Sequence, residues 1–141
     1  MSHRDPTAAG PAGPVVVLGP TASGKSDVAM AVAAEVPGVE IVVVDAMQVY
    51  RGMDIGTAKP TAGDRAAVRH HLLDLVDPAD DFTVTQFVDA ARTALGDIAE
   101  REAIPLLVAG TGLYLRALTD PMDVPGTWPD VRLDLERRAD V

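Results

Sequence analysis

The stretch Gly19-Pro20-Thr21-Ala22-Ser23-Gly24-Lys25-Ser26 fits the pattern G-x-x-x-x-G-K-[ST], in which successive backbone N–H groups wrap a phosphate. A helix beginning at the end of such a loop adds a partial positive charge at the same spot. Lys25 is placed to reach the outer phosphate as a mobile point charge, and the Ser26 hydroxyl to hold a Mg²⁺ ion. The chemistry implied is binding of a phosphate or diphosphate; the motif does not choose the reaction. A Gly/Ser turn that binds nothing would have the same composition, but not the same surroundings. The apolar run Val15-Val16-Val17-Leu18 leads into the motif, and a helix-compatible segment, Ser26 to Val36, follows it. Val28, Val32 and Val36 recur at i, i+4 and i+8, which predicts one buried stripe on that helix.

The elements that must position this loop alternate in type. After a turn at Pro37-Gly38, Glu40-Ile41-Val42-Val43-Val44-Asp45 reads as a strand buried on both faces of a parallel sheet and closed by an acid. Met47 to Ala67 has no sustained periodicity and reads as a long loop with one short helix, and loops of that length are usually functional or disordered. His71 to Leu75 predicts a third strand, ended by Asp77-Pro78. Thr83 and Gln86 match a capping box opening a helix from Val84 to about Glu102, with Val84, Phe87, Val88, Ala91, Leu95 and Ile98 on one face. Pro105 to Ala109 predicts the fourth strand, and Gly110-Thr111-Gly112 turns it into a helix, Leu113 to Leu118. Pro121 to Pro129, with three prolines, reads as a linker before a charged helix from Asp130. Such alternation predicts an α/β domain with a mostly parallel sheet, whose ligands sit at the carboxyl ends of strands. The P-loop, Asp45 and Gly110-Thr111-Gly112 all occupy those ends and are expected to converge on one cleft.

Bulk composition narrows the class. A chain of 141 residues is expected to form one domain with a real core. No run approaches the roughly 18 apolar residues of a membrane span. The absence of cysteine excludes disulfides and thiolate metal sites and fits the cytoplasm. Residues 1–13, rich in Gly, Pro and Ala, read as a disordered leader or the remnant of a tag. A net charge of −9 argues against a broad basic surface for nucleic acid. The candidate exceptions are Arg51, Lys59, Arg65 and Arg69, which could rim the cleft for RNA phosphates or could simply be solvated. His70 and His71 lack a third ligand that would make a metal site; one is expected at the strand entry, the other as a structural or substrate-side contact. Tyr50 and Tyr114 could stack on bases or bury an edge in the cleft wall.

Four stretches in order, Gly19 to Ser26, Val44-Asp45-Ala46-Met47-Gln48-Val49-Tyr50, Arg51 to Pro60, and Ala109-Gly110-Thr111-Gly112-Leu113-Tyr114-Leu115, together with His70-His71, resemble the bacterial tRNA dimethylallyltransferase family. The resemblance runs from about Pro14 to the chain's last residues. It implies a three-layer P-loop NTPase-like fold and transfer of the dimethylallyl group of dimethylallyl diphosphate to N6 of adenosine 37, in the tRNA anticodon stem-loop. Thr21 to Ser26 then correspond to donor contacts within the cradle formed by Gly19, Pro20, Thr21, Ala22, Ser23, Gly24, Lys25 and Ser26. Asp45 corresponds to the general base, and Thr111 to a tRNA contact near the reacting diphosphate. Asp45, Ala46, Met47 and Gln48 correspond to a tRNA-contacting stretch, and Arg132 to a further contact. Mg²⁺ on Ser26 is implied as cofactor, and a cytoplasmic monomer as the working state. From chemistry alone, Asp45 could equally hold Mg²⁺ as a Walker-B-like acid; the resemblance favours the base.

Three departures accompany the resemblance. Ala46 stands where the family usually has Ser, and Ala109 where it usually has Gly; both are small and predict modest effects. Family members are also longer, so residues 14–120 are expected to form the P-loop core and 121–141 a linker and the start of a helical tRNA-gripping insertion. The 141 residues alone are then expected to bind donor weakly and to transfer no prenyl group. The other readings are an adenine-nucleotide isopentenyltransferase, a small-nucleotide kinase, which lacks its arginine-bearing lid here, and a non-catalytic phosphate-binding module.

Overall fold

A computed structural model describes residues 13–120 and 128–139. Residues 1–12 of the expected leader, 121–127 of the expected linker, and 140–141 lie outside the described residues. Four strands, β1 (Val15–Leu18), β2 (Val39–Val44), β3 (His70–His71) and β4 (Ile104–Ala109), form one sheet in the order β1-β4-β2-β3. All three pairings are parallel. The helices are α1 (Lys25–Glu35), α2 (Ala62–Ala67), α3 (Val84–Glu100), α4 (Gly112–Thr119) and α5 (Pro129–Ala139).

The chain crosses the sheet twice in opposite directions, from β1 over β4 to β2 and from β3 back to β4. Right-handed crossovers then require the connecting helices to lie on opposite faces. They do. On one face Ala29 of α1 packs with Ile41, Val43, Leu106 and Val108. On the other, Phe87, Ala91 and Ile98 of α3 and Tyr114 of α4 pack with Val42, Val44, Leu107 and Ala109. The three-layer P-loop fold expected from the sequence is therefore present, with the two-residue alternation of β2 and β4 serving both layers.

Local predictions fared unevenly. The capping box at Thr83 is formed, with Thr83 N–H donating to Gln86 Oε1 at 2.8 Å and Gln86 N–H to Thr83 Oγ1 at 3.3 Å. The helix ends two residues early, because Glu102 takes a positive φ of 55°. The predicted α1 stripe holds only at Val32, which packs against that core; Val28 and Val36 are exposed, and Ala29 is the buried contact. Four-residue steps rotate by about 40° each around a helix, so the valines on either side of Val32 drift off the line facing the sheet. The predicted strand His71–Leu75 shrinks to His70–His71, since Leu72 and Asp74 have φ of 66° and 55°, outside extended geometry. β1 lies at the sheet edge, with Val15 and Leu18 more than half exposed.

Candidate active site

Alternation along β2 continues past its end. Ile41 and Val43 face α1, so the side chain of Asp45 is expected on that face as well. The structure agrees: Asp45 lines, with Lys25, Gly24 and Gly110, a cavity of about 380 Å³ at the carboxyl end of the sheet. A Cβ built on Gly110 would lie 3.2 Å from Asp45 Oδ2 and 4.0 Å from Lys25 Cε. Glycine is thus needed there for close approach rather than for its φ. Asp45 Oδ1 accepts the N–H groups of Met47 at 2.8 Å and Gln48 at 3.1 Å. This short Asx-type anchor fixes one carboxylate oxygen and leaves the other facing the cleft.

The cradle is built by backbone. Ala22 and Gly24 take left-handed φ of 60° and 80°, a curl that turns successive N–H groups toward one side. α1 starts at Gly24 without a side-chain cap, and α4 starts at Thr111 without one. In contrast, α2 and α3 both carry complete capping boxes. The uncapped N-terminus of α1 retains donors for an anion. Lys25 Nζ donates to Pro20 O at 2.7 Å, which holds the ammonium within its own loop. Gly19 opens that loop directly after β1, and Thr21, Ala22, Ser23 and Ser26 line the cavity. The Thr111 hydroxyl accepts the Ala46 N–H at 3.2 Å, tying the start of α4 to the segment after β2. Its own proton remains available for donation.

A further wall of the cleft is formed by the loop from Met47 to Pro60, through Gln48 and residues 57–60. Gln48, buried, donates through Nε2 to Thr57 O at 2.9 Å and Ala58 O at 3.4 Å. Met47 is exposed and Ala46 packs partly against the core. His70 lines the cavity, and its Nδ1 lies 2.8 Å from Val68 O. A carbonyl only accepts, so Nδ1 carries the proton; burial pushes the ring's pKa down. His71 points the other way, to Glu40 at 2.6 Å. Tyr114 is buried against Phe87, ring centres 4.6 Å apart, and burial together with Tyr50 and Asp45 raises its pKa. It is a wall of the core rather than a stacking platform.

The four candidate rim cations are all paired with carboxylates. Arg51 bonds Asp77 and Leu75 O; Lys59 and Arg65 share Asp74; Arg69 leans toward Glu40 at 3.8 Å. Each cation is drawn to a nearby carboxylate in this acidic chain; Lys59 is buried by its pairing, whereas Arg51 and Arg69 stay more than half exposed. Arg132 lies on α5, where no residue is buried, and pairs with Glu136 at 2.8 Å; it does not line the cleft.

Sequence reasoning missed a second cluster at the opposite end of the sheet. Glu40 is accepted into a ring of donors: Arg101 Nε at 3.1 Å and Nη2 at 2.8 Å, and His71. The Arg101 hydrogen bonds, with His71 assisting, outweigh burial and hold the Glu40 carboxyl down to about 2. A glutamate inside an otherwise apolar strand was the available signal.

A parallel sheet whose carboxyl end carries a backbone phosphate cradle beside an inward-facing carboxylate defines a P-loop NTPase-like protein. Residues 48–141 match the family described as IPP transferase, and residues 14–77 the one described as isopentenyl transferase. The chain belongs to the IPP transferase family. It is 51% identical over 128 residues to a tRNA dimethylallyltransferase of Bifidobacterium longum (strain NCC 2705), covering 88% of this chain and 39% of that protein. It is 55% identical over 124 residues to one of Burkholderia mallei (strain SAVP1), covering 87% and 38%. Among solved structures, the full-length tRNA isopentenylpyrophosphate transferase from Bacillus halodurans aligns with a TM-score of 0.74 and 42% identity, covering 90% of this chain and 42% of that one. A eukaryotic dimethylallyltransferase acting on tRNA aligns at 0.72 and 29%, covering 88% and 32%. The chain thus spans about two fifths of the curated relatives it matches.

Proposed function

We propose that this chain is the P-loop part of a tRNA dimethylallyltransferase that moves a dimethylallyl group from its diphosphate to N6 of adenosine 37. The observation that supports this reading most is the position of Asp45, whose Oδ2 faces the cleft beside Gly110 and Lys25. An adenine amino group is a poor nucleophile because its lone pair is delocalised into the ring. Asp45 takes one N6 proton as the N6–C1 bond forms and the C1–O bond to diphosphate breaks. Lys25 and the loop amides from Gly19 to Ser26 stabilise the charge that gathers on the leaving diphosphate. Thr111 donates its free proton to the same region.

Mg²⁺ fits the Ser26 hydroxyl, which lines the cavity, since this ion commonly takes only one or two protein oxygens beside phosphate. When bound, it supplies further neutralisation of diphosphate oxygens. The stretch Asp45 to Gln48, with Thr111 and Arg132, receives the anticodon stem-loop, and the base leaves its stack to enter the cleft. Residues 14–120 form the core and 121–141 lead toward a tRNA-gripping insertion. The enzyme works as a cytoplasmic monomer; no described helix is long and apolar enough to cross a membrane. A second reading takes a free adenine nucleotide as acceptor; the match of residues 14–77 to an isopentenyl transferase family specifies no acceptor and is compatible with it.

The test incubates the full-length polypeptide with labelled dimethylallyl diphosphate and either an anticodon stem-loop or AMP. Label on N6 of the stem-loop is expected. Label on AMP alone would shift the reading to the second acceptor, and label on neither would remove prenyl transfer altogether.

A further inference from the structure

The loop from Met47 to Pro60 is closed by one buried cation. The Lys59 side chain is 1% exposed, and its ammonium reaches three acceptors: Tyr50 O at 2.7 Å, Asp74 Oδ1 at 2.8 Å and Asp54 Oδ1 at 3.0 Å. An ammonium has three protons, so none remains for a phosphate. Burial alone would lower the Lys59 pKa, but the Asp74 and Asp54 contacts outweigh it and raise it, which keeps the group charged. Asp74 is itself braced by Arg65 at 2.7 Å. Backbone bonds run alongside: Asp74 N–H to Gln48 O at 3.2 Å and Leu75 N–H to Val49 O at 2.6 Å.

What this clasp holds is the carboxamide of Gln48. Thr57 O and Ala58 O can only accept, so the Gln48 amide nitrogen must face them and the flip is determined. Oε1 is left as a buried acceptor with no partner among the described residues, on a side chain that lines the cavity. A buried acceptor of that kind is costly unless a donor arrives. The amino group of an acceptor base carries two N–H donors, one more than Asp45 removes.

We infer that Lys59 is a positioning residue for the acceptor base: it closes the 47–60 loop on Asp74 and so sets the Gln48 carboxamide in the cleft wall. The inference rests on the RNA-prenylating reading of this cleft and adds to it a residue that touches neither substrate. Acceptor affinity depends on the clasp; donor affinity, set by the cradle across the cavity, does not.

The test uses the full-length polypeptide with Lys59→Met and with Lys59→Met/Asp74→Asn, the second also removing the half-buried carboxylate that Lys59 had paired. Expected in both is a KM for the anticodon stem-loop raised at least tenfold, with dimethylallyl diphosphate binding within twofold of the parent. Amide hydrogen exchange should accelerate in residues 48–60 and not in the Gly19–Ser26 loop. An unchanged acceptor KM in a folded variant would overturn the inference. So would parallel loss of both affinities, or failure of both variants to fold, since either marks a general structural role. Absence of prenyl transfer by the parent protein would instead sink the functional reading, and the exchange pattern would still decide whether Lys59 clasps the loop.

Discussion

Glu40 and Asp45 are two carboxylates on one strand, and they have been put to opposite uses. They sit roughly 16 Å apart along β2, at opposite ends and on opposite faces. Glu40 has both oxygens taken by Arg101 and His71, and is 9% exposed. Asp45 has one oxygen anchored by two backbone N–H groups and the other left toward the cleft. A carboxylate with both oxygens held by hydrogen-bond donors has none open to a substrate proton and serves as a fastener. One that is half anchored keeps its orientation and still has an oxygen open to a substrate proton. The number of oxygens left open, rather than the residue type, separates structure from chemistry here.

Substitutions that exchange these roles sharpen the contrast. After Asp45 itself, the largest effect is expected at Lys25, beside it. Lys25→Met in the full-length polypeptide should lower prenyl transfer by roughly 10²–10³-fold, the usual cost of removing one preorganised charge-stabilising group. Single-turnover rates at saturating donor would check it.

Glu40→Gln comes next and should act on stability instead. The folded Glu40 carboxyl lies at about 2 against an ordinary 4.5, a depression corresponding to ~3 kcal/mol. A depressed carboxyl stabilises the fold above the unfolded value and ceases to do so as pH falls through the folded one. The parent should therefore lose stability between pH 4.5 and 2, and Glu40→Gln should flatten that segment of the curve while lowering stability at pH 7. Denaturant midpoints across pH give the answer.

Gly110→Ala should have the smallest effect of the three. Its methyl group would meet Asp45 Oδ2 at 3.2 Å and displace it by a few tenths of an ångström. Turnover should drop severalfold to tenfold, because misplacement by about 1 Å can cost a hundredfold. Melting temperature should not move.

How much of this was legible in the sequence depends on sequence distance. The P-loop, the Thr83 capping box, and the alternation that aims Asp45 toward α1 are all written within a few residues of the group concerned. They were readable. The Glu40–Arg101 pair spans 61 positions and the Lys59–Asp74 pair 15; the first exists only once β4 has docked beside β2, the second only once residues 74–76 pair with 48–49. No local pattern announces which acid a cation will choose, so Lys59, Arg65 and Arg69 read as rim or solvated charges, with no sign that Lys59 is buried between Asp54 and Asp74. The α1 error has a different origin. A spacing of i, i+4 marks neighbours on a helix but not which line of neighbours meets the sheet, and Ala29 met it instead of Val28. β3 failed because Leu72 and Asp74 adopt left-handed backbone that the apolar pattern gives no sign of.

The most direct test of the central claim, that the open oxygen of Asp45 deprotonates the acceptor beside the cradle, is prenyl-transfer turnover by Asp45→Asn in the full-length polypeptide, with donor binding measured in parallel. Loss of roughly 10²–10⁴ in turnover, the range for a general base, with donor affinity kept within about twofold, is the predicted result. Undiminished turnover would contradict it.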